Sequence, residues 1–127
     1  MRKEPRPPGA SQFPAIFSAL HAILAKHEPL MRVVHDKPGN YHLDAGYSEK
    51  WKRDVFFGGI RQNKTYVSFY LMPMYMHPEL LKKVSPELKK RMQGKSCFNF
   101  TDIEPAHLKE LDGVTKKGYA GFIKQFP

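Results

Sequence analysis

An α+β fold is predicted for this chain: a two-layer sandwich in which an antiparallel sheet of about five strands packs against N- and C-terminal helices. Three observations predict it. Apolar residues recur at helical spacing between Phe13 and Leu24. Extended runs are folded back by two turn signals, Lys37-Pro38-Gly39-Asn40 and Asn63-Lys64. A second helical pattern closes the chain from Pro105 onward.

The first helix is expected from about Phe13 to Glu28, with Ser11 as its cap and Pro14 in its first turn. Phe13, Ile16, Phe17, Leu20, Ile23 and Leu24 form one wide apolar face. His21 and His27 fall off that stripe and read as solvated, and Pro29 stops the helix. Leu30 to Asp36 and Tyr41 to Ala45 then form a hairpin, since Pro followed by Gly fits the central positions of a type II turn. Asp54 to Arg61 and Tyr66 to Met72 form a second, with Asn63-Lys64 as its loop. In that register Ile60 pairs with Val67 and Phe56 with Leu71, so Phe56, Ile60 and Phe69 share the inner face. Alternation along the strand end accounts for Met72, Met74 and Met76 as packing.

Two short helices follow, each begun by Pro-Glu-Leu: His77-Pro78-Glu79-Leu80 and Ser85-Pro86-Glu87-Leu88. Gly94 ends the second. Lys95 to Phe100 reads as a fifth strand with Ser96, Phe98 and Phe100 on one face. The last helix starts near Pro105 and runs through Leu108, Leu111, Thr115 and Tyr119 towards Phe122 and Phe126. Gly113, Gly118 and Gly121 weaken it and predict a bend near Gly118. Trp51, set among Glu49, Lys50, Lys52 and Arg53, is expected to seal the core's edge.

A length of 127 residues suits one domain, read as residues 13–127 behind a flexible Pro- and charge-rich tail at 1–12. With 41% hydrophobic and 13% aromatic residues, there is material for a packed interior, which excludes the disordered class. No stretch reaches the roughly 18 apolar residues of a membrane helix. Met1 to Gln12 lacks a secretory apolar segment and Cys97 is the single cysteine, so a cytoplasmic protein without disulfides or a multi-cysteine zinc site is expected. Lys and Arg number 21 against 12 Asp and Glu, a formal +9 that favours anionic small molecules or nucleic acid as partners. The same charge keeps many small proteins soluble.

The run Tyr66-Val67-Ser68-Phe69-Tyr70-Leu71-Met72-Pro73, followed by Met92-Gln93-Gly94-Lys95-Ser96-Cys97-Phe98-Asn99-Phe100, resembles the YdhG-like family, a bacterial domain of unknown function. The resemblance spans roughly residues 13 to 123, through a hydrophobic hairpin, Gly-Lys-x-x-x-x-Phe and a closing helix. It implies a two-layer α+β fold similar to frataxin. Some relatives look like iron chaperones, which implies a metal role, and iron binding in frataxin-type proteins uses an acidic ridge on the first helix and strand. Here the first helix carries only Glu28 and the first strand only Asp36, and the pI is about 9.7. None of the family's ligands carries over to a matching position.

Three groups of residues invite chemistry. If Pro38-Gly39 turns the first hairpin, His35 lies opposite His42 with Cβ atoms roughly 5 Å apart, and Asp44 follows on the same face. Two imidazoles and a carboxylate suit a divalent metal such as Fe or Zn. Alternatively, Val33, His35, His42 and Asp44 are the solvated face while Val34, Tyr41 and Leu43 point inward. On the second hairpin, Phe57, Gly59, Arg61, Tyr66, Ser68 and Tyr70 share a face that suits stacking by a base or another planar anion. That face is otherwise covered by helices or by a dimer partner. Lys89, Lys90 and Arg91, with Lys82, Lys83 and Lys95, form a basic cluster for phosphate, or complement a helix C-terminus. A lysine such as Lys95 beside Cys97 can lower a thiol's pKa, but no base or orienting group accompanies it, so Cys97 reads as an ordinary cysteine.

No glycine-rich phosphate loop, nucleophile elbow or His-Glu metalloprotease motif is present. The expected class is a non-enzymatic binding protein for an anionic ligand. Metal handling and a homodimeric interaction module are the alternatives.

Overall fold

A computed structural model describes residues 12–102 and 104–125 of the chain. Within it α1 spans Phe13–Ala25, with a proline in its first turn and Phe13, Ile16, Leu20, Ile23 and Leu24 buried along one stripe. A 3₁₀ turn at Glu28–Leu30 leads into the sheet. The expected cap Ser11, the tail up to that residue, and Phe126 lie outside the described residues.

The sheet is a five-stranded antiparallel meander in chain order, made of β1 (Arg32–Lys37), β2 (Asn40–Ser48), β3 (Arg53–Gln62), β4 (Val67–Leu71) and β5 (Cys97–Phe100). Pro38-Gly39 turns the first hairpin as expected, with Gly39 at φ 81°, a conformation that favours glycine at this turn position. Between β4 and β5 come α2 (Met72–Met76), a 3₁₀ segment at Pro78–Lys83 and α3 (Pro86–Lys89). Ser85 caps α3 by accepting from the Leu88 amide at 3.2 Å. It is itself held by Glu110, which accepts from the Ser85 amide and hydroxyl at 2.8 and 2.7 Å. The closing helix α4 runs Pro105–Gln125.

Strand register sorts the side chains into rows. Asp36, Tyr41, Ile60, Phe69 and Phe98 lie opposite one another across the five strands. The last four are buried beneath α1 and α4 and, with Leu43, Phe57, Phe100, Leu111 and Phe122, form the core. On the opposite face run two further rows. One is His35, His42, Gly59, Tyr70 and Cys97; the other is Lys37, Asn40, Arg61, Ser68 and Asn99. An α+β sandwich with terminal helices on one face of the sheet is thus the observed architecture. No helix among the described residues is long and apolar enough to cross a membrane.

The second hairpin departs from its predicted register. Gln62 pairs with Val67 and Ile60 with Phe69, so the loop is Asn63 to Tyr66 rather than Asn63-Lys64. The Asn63 carboxamide oxygen accepts from the amides of Thr65 and Tyr66, each at 2.8 Å, which stabilises the longer loop. Because the slip is two residues, Arg61 and Tyr70 keep their face. Phe57 does not. Leu43 pairs with Gly58 and Asp44 with Phe56, which leaves Phe57 unpaired in a bulge. The extra residue reverses the alternation, sending Phe57 into the core and Phe56 to the opposite face.

Other expectations are corrected as well. Met72–Met76 is helical, not a strand end. Helix α4 continues through Gly118, where an added Cβ would lie 2.8 Å from Pro73 Cβ, so this glycine admits a close helix contact rather than a bend. Trp51 remains 37% exposed and lines a surface depression with Val55 and Met72 rather than closing the core's edge. Val34 points out, at 40% exposure, whereas Asp44 is buried. His21 and His27 are half-buried: His21 lies tilted against Tyr41 and His27 stacks on Tyr119, at centroid distances of 4.0 and 4.5 Å.

Candidate functional site

The two outer rows meet in a shallow depression of about 330 Å³, lined among others by His35, His42, Phe56, Gly59, Arg61 and Tyr70. Its floor is Gly59, where a Cβ would sit 2.7 Å from the Tyr41 carbonyl oxygen. The close backbone approach demands glycine, and the missing side chain leaves the floor open between the flanking rings. His42 lies against Phe56 at 4.6 Å and meets His35 edge-on at 5.8 Å. Its Nε2 donates to Asp44 Oδ1 at 2.7 Å, so a buried carboxylate beneath the site orients the imidazole. Arg61 is exposed and forms no ion pair among the described residues.

Arg61 and Tyr70 are therefore brought together as expected, and the structure adds His35 and His42 to them. Phe57 is excluded. It is fully buried, with Tyr119 and Phe122 edge-on at 5.8 and 5.4 Å. Phe56 takes its place, and only the bulge reveals this. The Gly58-Gly59 pair was the one available signal, since paired glycines in a strand mark such irregularities.

Tyr66, Lys90 and Arg91 line a separate depression of about 420 Å³ with Asn99 and Thr101. Lys89 is exposed at the end of α3 and does not line it. Arg91 is neutralised by Asp102 at 2.8 Å and lies over the Phe100 ring at 5.8 Å. A neighbouring depression mixes Lys90 and Arg91 with Glu87, Glu104 and His107. The predicted basic cluster is thus partly paired and locally of mixed sign, a weak phosphate site.

His35, His42 and Asp44 do not form a three-ligand group. Among the described residues one such group has donor atoms all within 4.8 Å of one another: His21, Glu28 and Asp36. It sits where α1, the following turn and β1 converge. His21 Nε2 is 3.5 Å from Asp36 Oδ1, and the Tyr41 hydroxyl donates to Glu28 Oε2. Burial, reinforced by Glu28, pushes the Tyr41 phenol well above its usual pKa, so it remains a donor. Sequence spacing could not show this group, because its members come from three elements and His21 read as solvated.

Cys97 ends the outer row. Burial raises its pKa, opposed by hydrogen bonding to Ser68 and Tyr70, in keeping with an ordinary rather than an activated thiol. Lys95 instead lies over the Tyr75 ring at 5.9 Å. Comparison with protein-family models, with characterised proteins and with solved structures finds no match for this chain.

Proposed function

We propose that this chain is a non-enzymatic binding protein whose open sheet face takes a planar anionic ligand. The carrying observation is the convergence of Arg61 with Tyr70, Phe56 and two histidines around the bare backbone of Gly59. Rings offer stacking surface, and an unpaired guanidinium offers a bidentate partner for a phosphate or carboxylate. A nucleoside monophosphate has both features. Its titration by calorimetry tests the reading: the wild type binds, and Arg61→Ala weakens binding about 10- to 100-fold, the worth of a charge-assisted hydrogen bond. Equal affinity in the variant overturns it. The motif ending Gly94-Lys95 to Phe100 supports membership of the YdhG-like family, with its frataxin-like fold and a cytoplasmic setting, as part of the same proposal.

One observation favours a second reading. The His21, Glu28 and Asp36 group offers one nitrogen and two carboxylate donors, a set suited to a divalent transition metal. Metal titration of the wild type and His21→Ala checks it, and an unchanged isotherm removes the group from consideration.

A further inference from the structure

Beyond the depression at Arg61 lies a second one of about 430 Å³, whose lining includes Trp51, Arg53, Met72, Tyr75 and Met76. Phe56 lines both, so the two depressions adjoin at its ring. Two large rings are left in solvent at the second, with Trp51 37% and Tyr75 59% exposed. Lysines attend both: Lys50 Nζ is 5.7 Å from the Trp51 ring and Lys95 Nζ 5.9 Å from that of Tyr75. Neither Arg53 nor these lysines form an ion pair among the described residues, and no acidic side chain lines either depression.

We infer that this track binds a single strand of nucleic acid, its bases stacking on Tyr70, Phe56, Trp51 and Tyr75 while Arg61, Arg53, Lys50 and Lys95 meet its phosphates. The inference rests on the planar-anion reading and extends it from one nucleotide to several. Charge complementarity selects the occupant. Rings spaced along a groove and interleaved with cations are what successive bases and phosphates require. An acidic helix wants a continuous apolar groove instead, and a duplex hides its base faces.

Trp51 is the single tryptophan, so its emission reports on the second depression alone. The full chain is titrated with uridine 5′-monophosphate and with oligouridylates of increasing length, up to about eight nucleotides. Affinity should rise about ten-fold or more with length, and Trp51 should be quenched only by strands long enough to pass Phe56. Tyr75→Ala, at an exposed position, should weaken the longest strand about five-fold or more and leave monophosphate binding unchanged, with circular dichroism confirming the fold. Monophosphate binding with length-independent affinity and unquenched Trp51 overturns the track but spares the first depression. No binding of either probe overturns both. Equal affinity for a duplex or for polyglutamate at the same salt overturns the assignment to single strands, as does a stable dimer that shields Tyr75.

Discussion

His42 Nε2 donates to Asp44 Oδ1 at 2.7 Å, two residues along one strand, with the carboxylate largely buried and the imidazole reaching the open face. This bond fixes the ring and protonates Nε2 when the imidazole is neutral. Nitrogen chemical shifts should show that tautomer, and a dominant Nδ1–H form contradicts the assignment. Asp44→Ala removes the acceptor and should cost about 1–3 kcal/mol in urea denaturation, while also weakening monophosphate binding.

Adjacent phenylalanines on β3 should behave in opposite ways. Phe57→Ala empties a fully buried site and should cost about 3–5 kcal/mol. Phe56→Ala should cost much less, because its ring is only half-buried, yet should impair ligand binding. Thermal denaturation and calorimetry on both variants separate the roles. Similar stabilities would contradict the bulge.

Gly118→Ala isolates a packing contact. In an open helix position alanine would stabilise by about 1 kcal/mol. Here its Cβ would press on Pro73, and we expect a net destabilisation of about 1–3 kcal/mol by chemical denaturation. A stabilised variant would mean that α4 does not approach α2 so closely.

Stability should also depend on His27. Burial against Tyr119 and Phe57 is the main cause lowering its pKa from 6.5; Asp112 opposes this, while Lys26 and Lys116 add to it. The unfolded chain then binds more protons in the interval between the folded value and 6.5, so stability rises with pH there. Acidification through 6.5 should destabilise the wild type until the folded value is passed. In His27→Gln that part of the slope should vanish. An unchanged slope in the variant contradicts the account.

Much of the fold was legible because its signals are local. The Phe13 to Leu24 stripe, Pro38-Gly39 and the Pro-Glu-Leu helix starts each act within a few residues. The loop at Asn63 was misplaced because a side-chain oxygen, not backbone propensity, sets its length. The site was half legible. Arg61 and Tyr70 survived a two-residue slip, which conserves strand faces, whereas Phe57 fell to a one-residue bulge, which reverses them. Trp51 and Tyr75 were unreadable as a pair, because only the helical turn of Met72–Met76 carries Tyr75 over to Trp51. The same holds for His21, Glu28 and Asp36, joined by tertiary packing alone.

The most direct test is amide chemical-shift mapping of the isotopically labelled chain titrated with uridine 5′-monophosphate. The account predicts saturable shifts centred on His35, His42, Gly59, Arg61 and Tyr70, and their loss in Arg61→Ala. Shifts centred instead on Tyr66, Lys90 and Arg91, or no shifts at all, would contradict it.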